Sequence, residues 1–206
     1  LLGGASPAAA QGIALVPYSS GELFALRQEN GKSAWQDTLS NARRIDALSS
    51  LADIRGKPVI DRGRVFAISH SGSMVSIDLR TGARAWDREI SGVETPWVAG
   101  NYIYVLSTDN IVFCLTREAG RVKWLRQLPR YINPEKKKDP VTWTGPVLVS
   151  DRLIVAGSQG QALSISPYTG DMLGEIKLPE GVSIAPIVAD NTLYFMTDRA
   201  RVVALR

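Results

Sequence analysis

The sequence predicts an all-β protein, a β-propeller built from four-stranded antiparallel blades. Residues typical of tight turns recur with a period of about 40, prolines precede each of them at a fixed distance, and glycines and tryptophans follow at fixed distances. The short apolar runs between these markers have the length and alternation of β-strands. A small sheet cannot cover both of its faces alone, so we expect the copies to stack face to face around a ring.

Composition agrees with this fold class. The chain has 206 residues, of which 45% are hydrophobic, enough to bury a sizeable core. Its 18 glycines and 11 prolines are scattered without a period, which favours many turns and short strands. No apolar run approaches the roughly 18 to 20 residues that a membrane-spanning helix requires. The single cysteine, Cys114, excludes an internal disulfide.

Five turn positions set the register of the repeat, each lying between two apolar runs where a hairpin is expected. They are Gly21, Gly72, Asn110, Gly160 and Ala200. Fourteen residues before each turn stands a proline that opens the predicted first strand: Pro7, Pro58, Pro96, Pro146 and Pro186. Ten residues after the turn, in the four copies long enough to show it, stands a glycine: Gly31, Gly82, Gly120 and Gly170.

A tryptophan stands fourteen residues after the turn in three copies, at Trp35, Trp86 and Trp124, whereas the fourth copy has Gly174. These rings can dock between adjacent blades, or one of them can stack on a flat quinone cofactor. A quinone on the propeller axis would need one special ring, whereas here a ring recurs from blade to blade. The pattern therefore favours a structural role.

The repeat divides the chain into four blades and three strands of a fifth. The predicted blades are approximately 7–39, 58–90, 96–128, 146–178 and 186–206, the last of them incomplete. Because few residues precede the first proline, we expect these residues to be the C-terminal part of a longer chain that supplies about three further blades.

The residues give no sign of catalysis, so we predict a non-enzymatic protein with no catalytic, cofactor-binding or metal-binding residues. Cys114 falls in a slot that holds Ala or Ser in the other copies, and His70 is the only imidazole. No cluster has the spacing of zinc ligands, and no nucleophile elbow or phosphate-binding loop is present. The net charge is only +4, and the one cationic run, Lys136 to Lys138, is interpreted as a solvated loop, so no nucleic-acid partner is expected.

Three stretches closely resemble the C-terminal half of the BamB family, whose members are outer-membrane β-barrel assembly lipoproteins. These are Leu51 to Ile60 (LADIRGKPVI), Gly63 to Ala67 (GRVFA) and Asp78 to Gly82 (DLRTG), and the resemblance extends over the whole chain. It implies an eight-bladed propeller on the periplasmic face of the outer membrane. It further implies a scaffold that binds the POTRA domains of the barrel-inserting subunit, needs no cofactor, and meets the membrane only through a lipid anchor outside this segment.

The resemblance also implies a partner-binding site on two loops. Its residues here are Leu1, Leu2, Asp53 and Arg55. Leu1 and Asp53 match the family, whereas Leu2 stands where the family has Arg and Arg55 where it has a second Asp. The insertion from residue 40 to 57 mixes aliphatic and charged side chains, the composition of a protein interface. The alternative is that its aliphatic side chains only cap the end of the propeller.

Two other function classes share this architecture. A quinone-dependent dehydrogenase would be expected to show a vicinal cysteine pair, calcium ligands and an axial aspartate, and the single cysteine removes the first of these. The sequence is also compatible with a ligand-sensing propeller module of a larger signalling chain.

Overall fold

The computed structural model describes residues 5–39 and 53–206. Within this part of the chain the regular structure consists of strands, β1 to β21. No helix among these residues is long and apolar enough to cross a membrane.

The first two sheets are four-stranded antiparallel meanders in which each strand pairs with the next along the chain. The first contains β1 (Ala8–Ala10), β2 (Ile13–Pro17), β3 (Glu22–Arg27) and β4 (Ser33–Thr38). The second contains β5 (Val59–Asp61), β6 (Arg64–Ile68), β7 (Met74–Asp78) and β8 (Arg84–Arg88). The first strands of these two sheets, β1 and β5, have three residues each, and they contact each other.

The remaining sheets repeat this order. The third contains β9 (Trp97–Ala99), β10 (Tyr102–Leu106), β11 (Ile111–Thr116) and β12 (Val122–Gln127). A separate hairpin, β13 (Tyr131–Asn133) and β14 (Lys138–Pro140), follows it. The fourth large sheet contains β15 (Trp143–Val149), β16 (Arg152–Gly157), β17 (Gln161–Ile165) and β18 (Met172–Lys177). A three-stranded sheet contains β19 (Ile187–Ala189), β20 (Thr192–Met196) and β21 (Val202–Leu205). The chain is thus an all-β partial propeller, as predicted.

The chain divides into two compact units, residues 1–109 with 115–122 and residues 110–114 with 123–206. The first unit has a core of fully buried aliphatic side chains that includes Leu15, Leu23, Val65 and Ile77. The second has a core around Ala156, Leu178, Val182 and Phe195. These side chains come from the central strands and from the connections between sheets, and their burial stabilises each unit.

The turn that sets the register has one backbone conformation in all five copies, with φ in the left-handed region. The φ angles are 86° at Gly21, 104° at Gly72, 60° at Asn110, 82° at Gly160 and 59° at Ala200. Glycine and asparagine adopt this conformation at little cost, which is why they recur at this position. Ala200 adopts it as well, although its Cβ makes the conformation less favourable.

The repeated tryptophans dock on the following turn, which confirms their structural role. The Nε1 groups of Trp35, Trp86 and Trp124 donate hydrogen bonds to the carbonyl oxygens of Leu79 (2.8 Å), Arg117 (3.0 Å) and Pro167 (3.0 Å), respectively. The indoles cover the recurring glycines: a Cβ at Gly82, Gly120 or Gly170 would lie 2.6–2.7 Å from a ring atom. Trp35 and Trp86 are buried, whereas Trp124 is only partly buried.

A recurring arginine clamps the same turns, a feature that the sequence analysis missed. Arg88 and Arg126 lie two residues after the docked tryptophans and donate from Nε to the carbonyl oxygens of Gly120 and Gly170, at 2.7 and 2.5 Å. In the first sheet a carboxylate takes this position, and Asp37 accepts hydrogen bonds from Arg84 at 2.7 and 2.8 Å. The hydrogen bond to Asp37 raises the pKa of Arg84.

The expectation that each first strand begins at its proline needs one correction. Four first strands directly follow the proline, but β15 begins at Trp143, three residues before Pro146. The pairing of β15 with β16 shifts register between Thr144 and Val147, so Pro146 lies in an irregularity of the ladder. Proline has no backbone N–H to donate, and such a bulge is where a strand tolerates it.

Candidate partner-binding surface

The described residues bring together no group with the character of a catalytic or metal centre. Across residues 5–39 and 53–206, no three His, Cys, Asp or Glu side chains gather in a group that could hold a metal ion. Cys114 is buried, and this burial raises the pKa of its thiol to about 12. The thiol is therefore protonated at neutral pH and unsuited to act as a nucleophile.

Of the four predicted partner-binding residues, the structure describes two. Asp53 and Arg55 lie in the segment that leads into β5, whereas Leu1 and Leu2 lie outside the described residues. Arg55 is exposed and Asp53 is partly buried. We refer to residues 53–57 as the β5 lead-in.

Backbone hydrogen bonds fasten the β5 lead-in to its surroundings. The carbonyl oxygen of Asp53 accepts from the backbone N–H of His70 at 2.9 Å. The N–H of Ile54 donates to the carbonyl oxygen of Tyr18 at 3.5 Å, a long contact. The N–H of Lys57 donates to Thr95 Oγ1 at 3.0 Å. The lead-in is thereby connected to the β2–β3 turn, the β6–β7 turn and the segment before β9.

Packing also holds the backbone of the β5 lead-in in place. Ile54 is 0% exposed and belongs to the core cluster of the first unit. A Cβ on Gly56 would collide with the backbone carbonyl of Glu94, so the two backbones approach more closely than any other residue at position 56 permits. The lead-in therefore presents the side chains of Asp53 and Arg55 from a rigid backbone.

Both described ends of the insertion are attached to the β6–β7 turn. Leu39, the last described residue before it, accepts hydrogen bonds at its carbonyl oxygen from Ser69 Oγ (2.8 Å) and Ser71 Oγ (3.1 Å). Asp53, the first residue of the insertion that the structure describes, accepts at its carbonyl oxygen from the backbone N–H of His70 in the same turn. Leu39 and Asp53, the described residues on either side of residues 40–52, are thus held by the same turn.

Of the aliphatic side chains in the insertion, the structure describes only Ile54, which is part of the core. It therefore has the structural role that the alternative interpretation assigned to these side chains. Ile45, Leu48 and Leu51 lie outside the described residues, so the interface interpretation of those three stays a prediction.

The Asp53 carboxylate has an unusual environment. Its Oδ1 atom is buried and has no hydrogen-bond partner among the described residues. A carboxylate oxygen removed from water without a donor destabilises the fold, since its hydration is lost without replacement.

Tyr18 belongs to the same surface, although the sequence analysis did not identify it. Its side chain is 48% exposed and packs edge-on against Phe24, with ring centroids 5.4 Å apart. Its carbonyl oxygen holds Ile54. The available signal was its place in the turn after β2, because turns between second and third strands lie at the same end of a blade as the lead-in to the next.

The four-stranded sheets and the docked tryptophans define the chain as a segment of a tryptophan-docking, quinoprotein-like β-propeller. A family model described as outer membrane protein assembly factor BamB matches residues 1–126. The chain belongs to this family.

Similar proteins extend the match over the whole chain. The outer membrane protein assembly factor BamB of Shigella dysenteriae serotype 1 (strain Sd197) is 30% identical over 208 residues, which cover 100% of this chain and 50% of that protein. The crystal structure of BamB from Moraxella catarrhalis has a TM-score of 0.84 at 21% identity, covering 99% of this chain and 59% of that one. The chain thus spans about half the length of the curated relatives that it matches.

Dehydrogenases are similar in fold alone. The quinohemoprotein alcohol dehydrogenase ADHIIG from Pseudomonas putida HK5 has a TM-score of 0.73 at 13% identity. The curated relatives from Shigella and Escherichia coli are named as assembly factors and are 30% and 29% identical to this chain over the 208 aligned residues. The prediction of a non-enzymatic protein is therefore confirmed by the family, against the dehydrogenase alternative.

Proposed function

We propose that this chain is the part of an outer-membrane assembly factor that docks on the barrel-inserting subunit. In this proposal it binds the POTRA domains of that subunit on the periplasmic face of the outer membrane and acts as a scaffold without chemistry of its own. Family membership supports the general role, and the geometry of the β5 lead-in supports the location of the contact. The partner-binding residues proposed are Leu1, Leu2, Asp53 and Arg55.

The proposed location of the contact rests on one observation: the β5 lead-in has a rigid backbone and presents two charged side chains. The lead-in is held by hydrogen bonds and by the buried Ile54, so it loses little conformational freedom on binding. It offers an exposed cation at Arg55 and a partly exposed carboxylate at Asp53. A partner that presents a cation to Asp53 and an anion to Arg55 gains two charge-assisted hydrogen bonds.

Charge changes in the full-length protein test this proposal. Asp53→Lys should weaken binding to the isolated POTRA domains by about 1 kcal/mol or more, because it replaces attraction by repulsion. Arg55→Glu should weaken it in the same way. Asp53→Asn, which keeps the shape and removes the charge, should have a smaller effect in the same direction. Isothermal titration calorimetry measures the affinity, and circular dichroism melting measures the stability.

Two controls separate a local effect from a change in net charge. Asp87→Lys on β8 makes the same charge change on the outer strand of the second sheet, where the side chain is exposed. Arg121→Glu matches Arg55→Glu at an exposed turn position. Both controls should bind as the unaltered protein does. If the Asp53 and Arg55 variants stay folded and bind normally, or if the Asp53→Lys protein unfolds, the lead-in is structural and the proposed site is wrong.

A further inference from the structure

The hairpin that joins the third large sheet to the fourth lies outside the blade repeat. Its strands, β13 (Tyr131–Asn133) and β14 (Lys138–Pro140), pair with each other and form a sheet of their own. Ile132 is 54% exposed, and residues 134–140 are exposed throughout. The sheets before and after the hairpin in the chain both have their four strands, so its exposure is not a consequence of where the chain begins or ends.

Hydrogen bonds hold the base of the hairpin in place. The N–H of Val141 donates to the carbonyl oxygen of Arg130 at 3.0 Å and closes the two ends. Asn110 Nδ2 donates to the carbonyl oxygen of Val141 at 3.0 Å. Gln159 Nε2 donates to the carbonyl oxygen of Pro140 at 3.1 Å. The exposed end is therefore presented from a fixed base and loses little freedom on binding.

Three consecutive lysines lie at this exposed end, and we call Lys136, Lys137 and Lys138 the lysine run. They belong to a paired hairpin and not to an irregular loop. None of them forms a salt bridge with a carboxylate among the described residues. Glu135 and Asp139 flank the run and offset part of its charge. The ammonium groups are thus available to an anion outside the chain.

The backbone at Lys137 gives a second indication. Its φ of 48° lies in the left-handed region, where glycine or asparagine would be more stable than lysine. The turn therefore does not account for lysine at this position, whereas a requirement for charge does.

We propose that this hairpin docks on an anionic phospholipid surface through the lysine run, with Ile132 at the headgroup boundary. Lysine is depleted in protein–protein interfaces, whereas clustered lysines beside a membrane bind anionic headgroups. Side chains alternate between the two faces of a strand, so Ile132 points away from the partly buried Tyr131 and Asn133. An exposed aliphatic side chain beside cations suits the boundary between headgroups and acyl chains.

This contact would be additional to the lipid anchor that the resemblance implies. It rests on the proposed function only for the presence of the outer membrane nearby. Its test needs no POTRA domains, so the two proposals can fail separately.

Vesicle sedimentation tests the contact with the full-length protein, prepared without a lipid group so that no acyl chain contributes. The protein should bind vesicles of three parts phosphatidylcholine and one part phosphatidylglycerol, but not phosphatidylcholine alone. Replacement of the whole lysine run by glutamine should lower the affinity by about ten-fold or more, since each lysine contributes about five-fold near such a surface. Glu135→Gln should raise the affinity, because it removes a repulsive charge, and added salt should lower it.

Two further variants separate the position of the charge from net charge and from stability. Replacement of Lys32, Lys123 and Lys177 by glutamine removes the same charge at three separate exposed positions and should leave vesicle binding nearly unchanged. Lys137→Asn should keep or raise the melting temperature, because asparagine tolerates the left-handed backbone, and should still weaken vesicle binding several-fold.

Ile132→Trp tests the depth of the contact. Brominated phosphatidylcholine in the mixed vesicles should quench its fluorescence beyond that of the unaltered protein, and no added quenching would overturn the placement of Ile132. The proposal is overturned if the unaltered protein does not bind the anionic vesicles, or if the lysine-run variant and the scattered control lose equal affinity. If the lysine-run variant loses affinity for the POTRA domains and none for vesicles, the hairpin contacts protein and the proposal is wrong.

Discussion

Removal of the Trp86 side chain should cost the protein about 4 kcal/mol of unfolding free energy. The ring is 7% exposed, packs on Gly120 and Phe66, and has the Arg88 guanidinium 5.9 Å from its centroid. Truncation of a buried large aromatic side chain to alanine usually costs about 3 to 5 kcal/mol. Within that figure, the Nε1 hydrogen bond to the Arg117 carbonyl contributes about 1 kcal/mol.

Urea denaturation of the full-length protein measures this loss as a lower midpoint at an unchanged slope. Trp86→Phe should lose a smaller amount, about 1 to 2 kcal/mol, because it keeps a ring and removes the hydrogen bond and part of the volume. Tyr168→Ala is the control, since that ring is 77% exposed and its removal should change stability by less than about 0.5 kcal/mol. A loss below about 1 kcal/mol for Trp86→Ala would refute the docking account.

Three further changes test the same packing. Gly120→Ala should destabilise the protein by about 3 kcal/mol, since its Cβ would lie 2.7 Å from the Trp86 ring at a φ of 59°. Gly31→Ala, at a φ of 69° with no atom nearby, should show only the smaller cost of the backbone conformation. Equal losses of stability in the two variants would contradict the clash. Ser76→Ala should stabilise by up to about 1 kcal/mol, because its buried Oγ lacks a partner among the described residues; a loss above about 1 kcal/mol would mean that it has one. Burial of the Cys114 thiol raises its pKa from 9.0 to about 12, so its contribution to stability is complete below pH 9 and is lost as the pH rises towards 12. Denaturation curves should show Cys114→Ala losing less stability over that range, and equal losses would contradict the shift.

The fold was predictable because each sequence marker has a single local cause. Glycine and asparagine recur at the register turn because φ is positive there, at Gly72 and Asn110 for example. The glycine ten residues later recurs because φ is positive there as well, at Gly82 and Gly120 for example. Such short-range requirements leave a record in one residue type at one spacing. The register could therefore be read without knowledge of tertiary contacts.

Features that depend on contacts between sheets or on short segments were not predictable in this way. The clamping arginine occurs in only two copies, at Arg88 and Arg126, which is too few to mark a repeat. The hairpin from Tyr131 to Pro140 has strands of three residues and contains the lysine run, which hides any alternation. The start of β15 before Pro146 depends on a local shift in pairing.

The candidate site was predictable only in part. The resemblance supplied Asp53 and Arg55, but no pattern of residue types indicated that Ile54 between them is buried in the core or that Tyr18 lies beside it. Alternation of buried and exposed side chains in an irregular segment follows no fixed period. Its pattern is decided by the turns against which the segment packs.

Hydrogen–deuterium exchange of the full-length protein, with and without the POTRA domains, tests the central claim most directly. Exchange reports protection of each backbone segment without any substitution. Peptides that contain residues 53–57 and the Tyr18 turn should exchange more slowly in the complex, whereas peptides from the outer strands β4 and β8 should not change. Protection confined to other parts of the molecule, or no protection at a concentration of POTRA domains that saturates binding, would contradict the account.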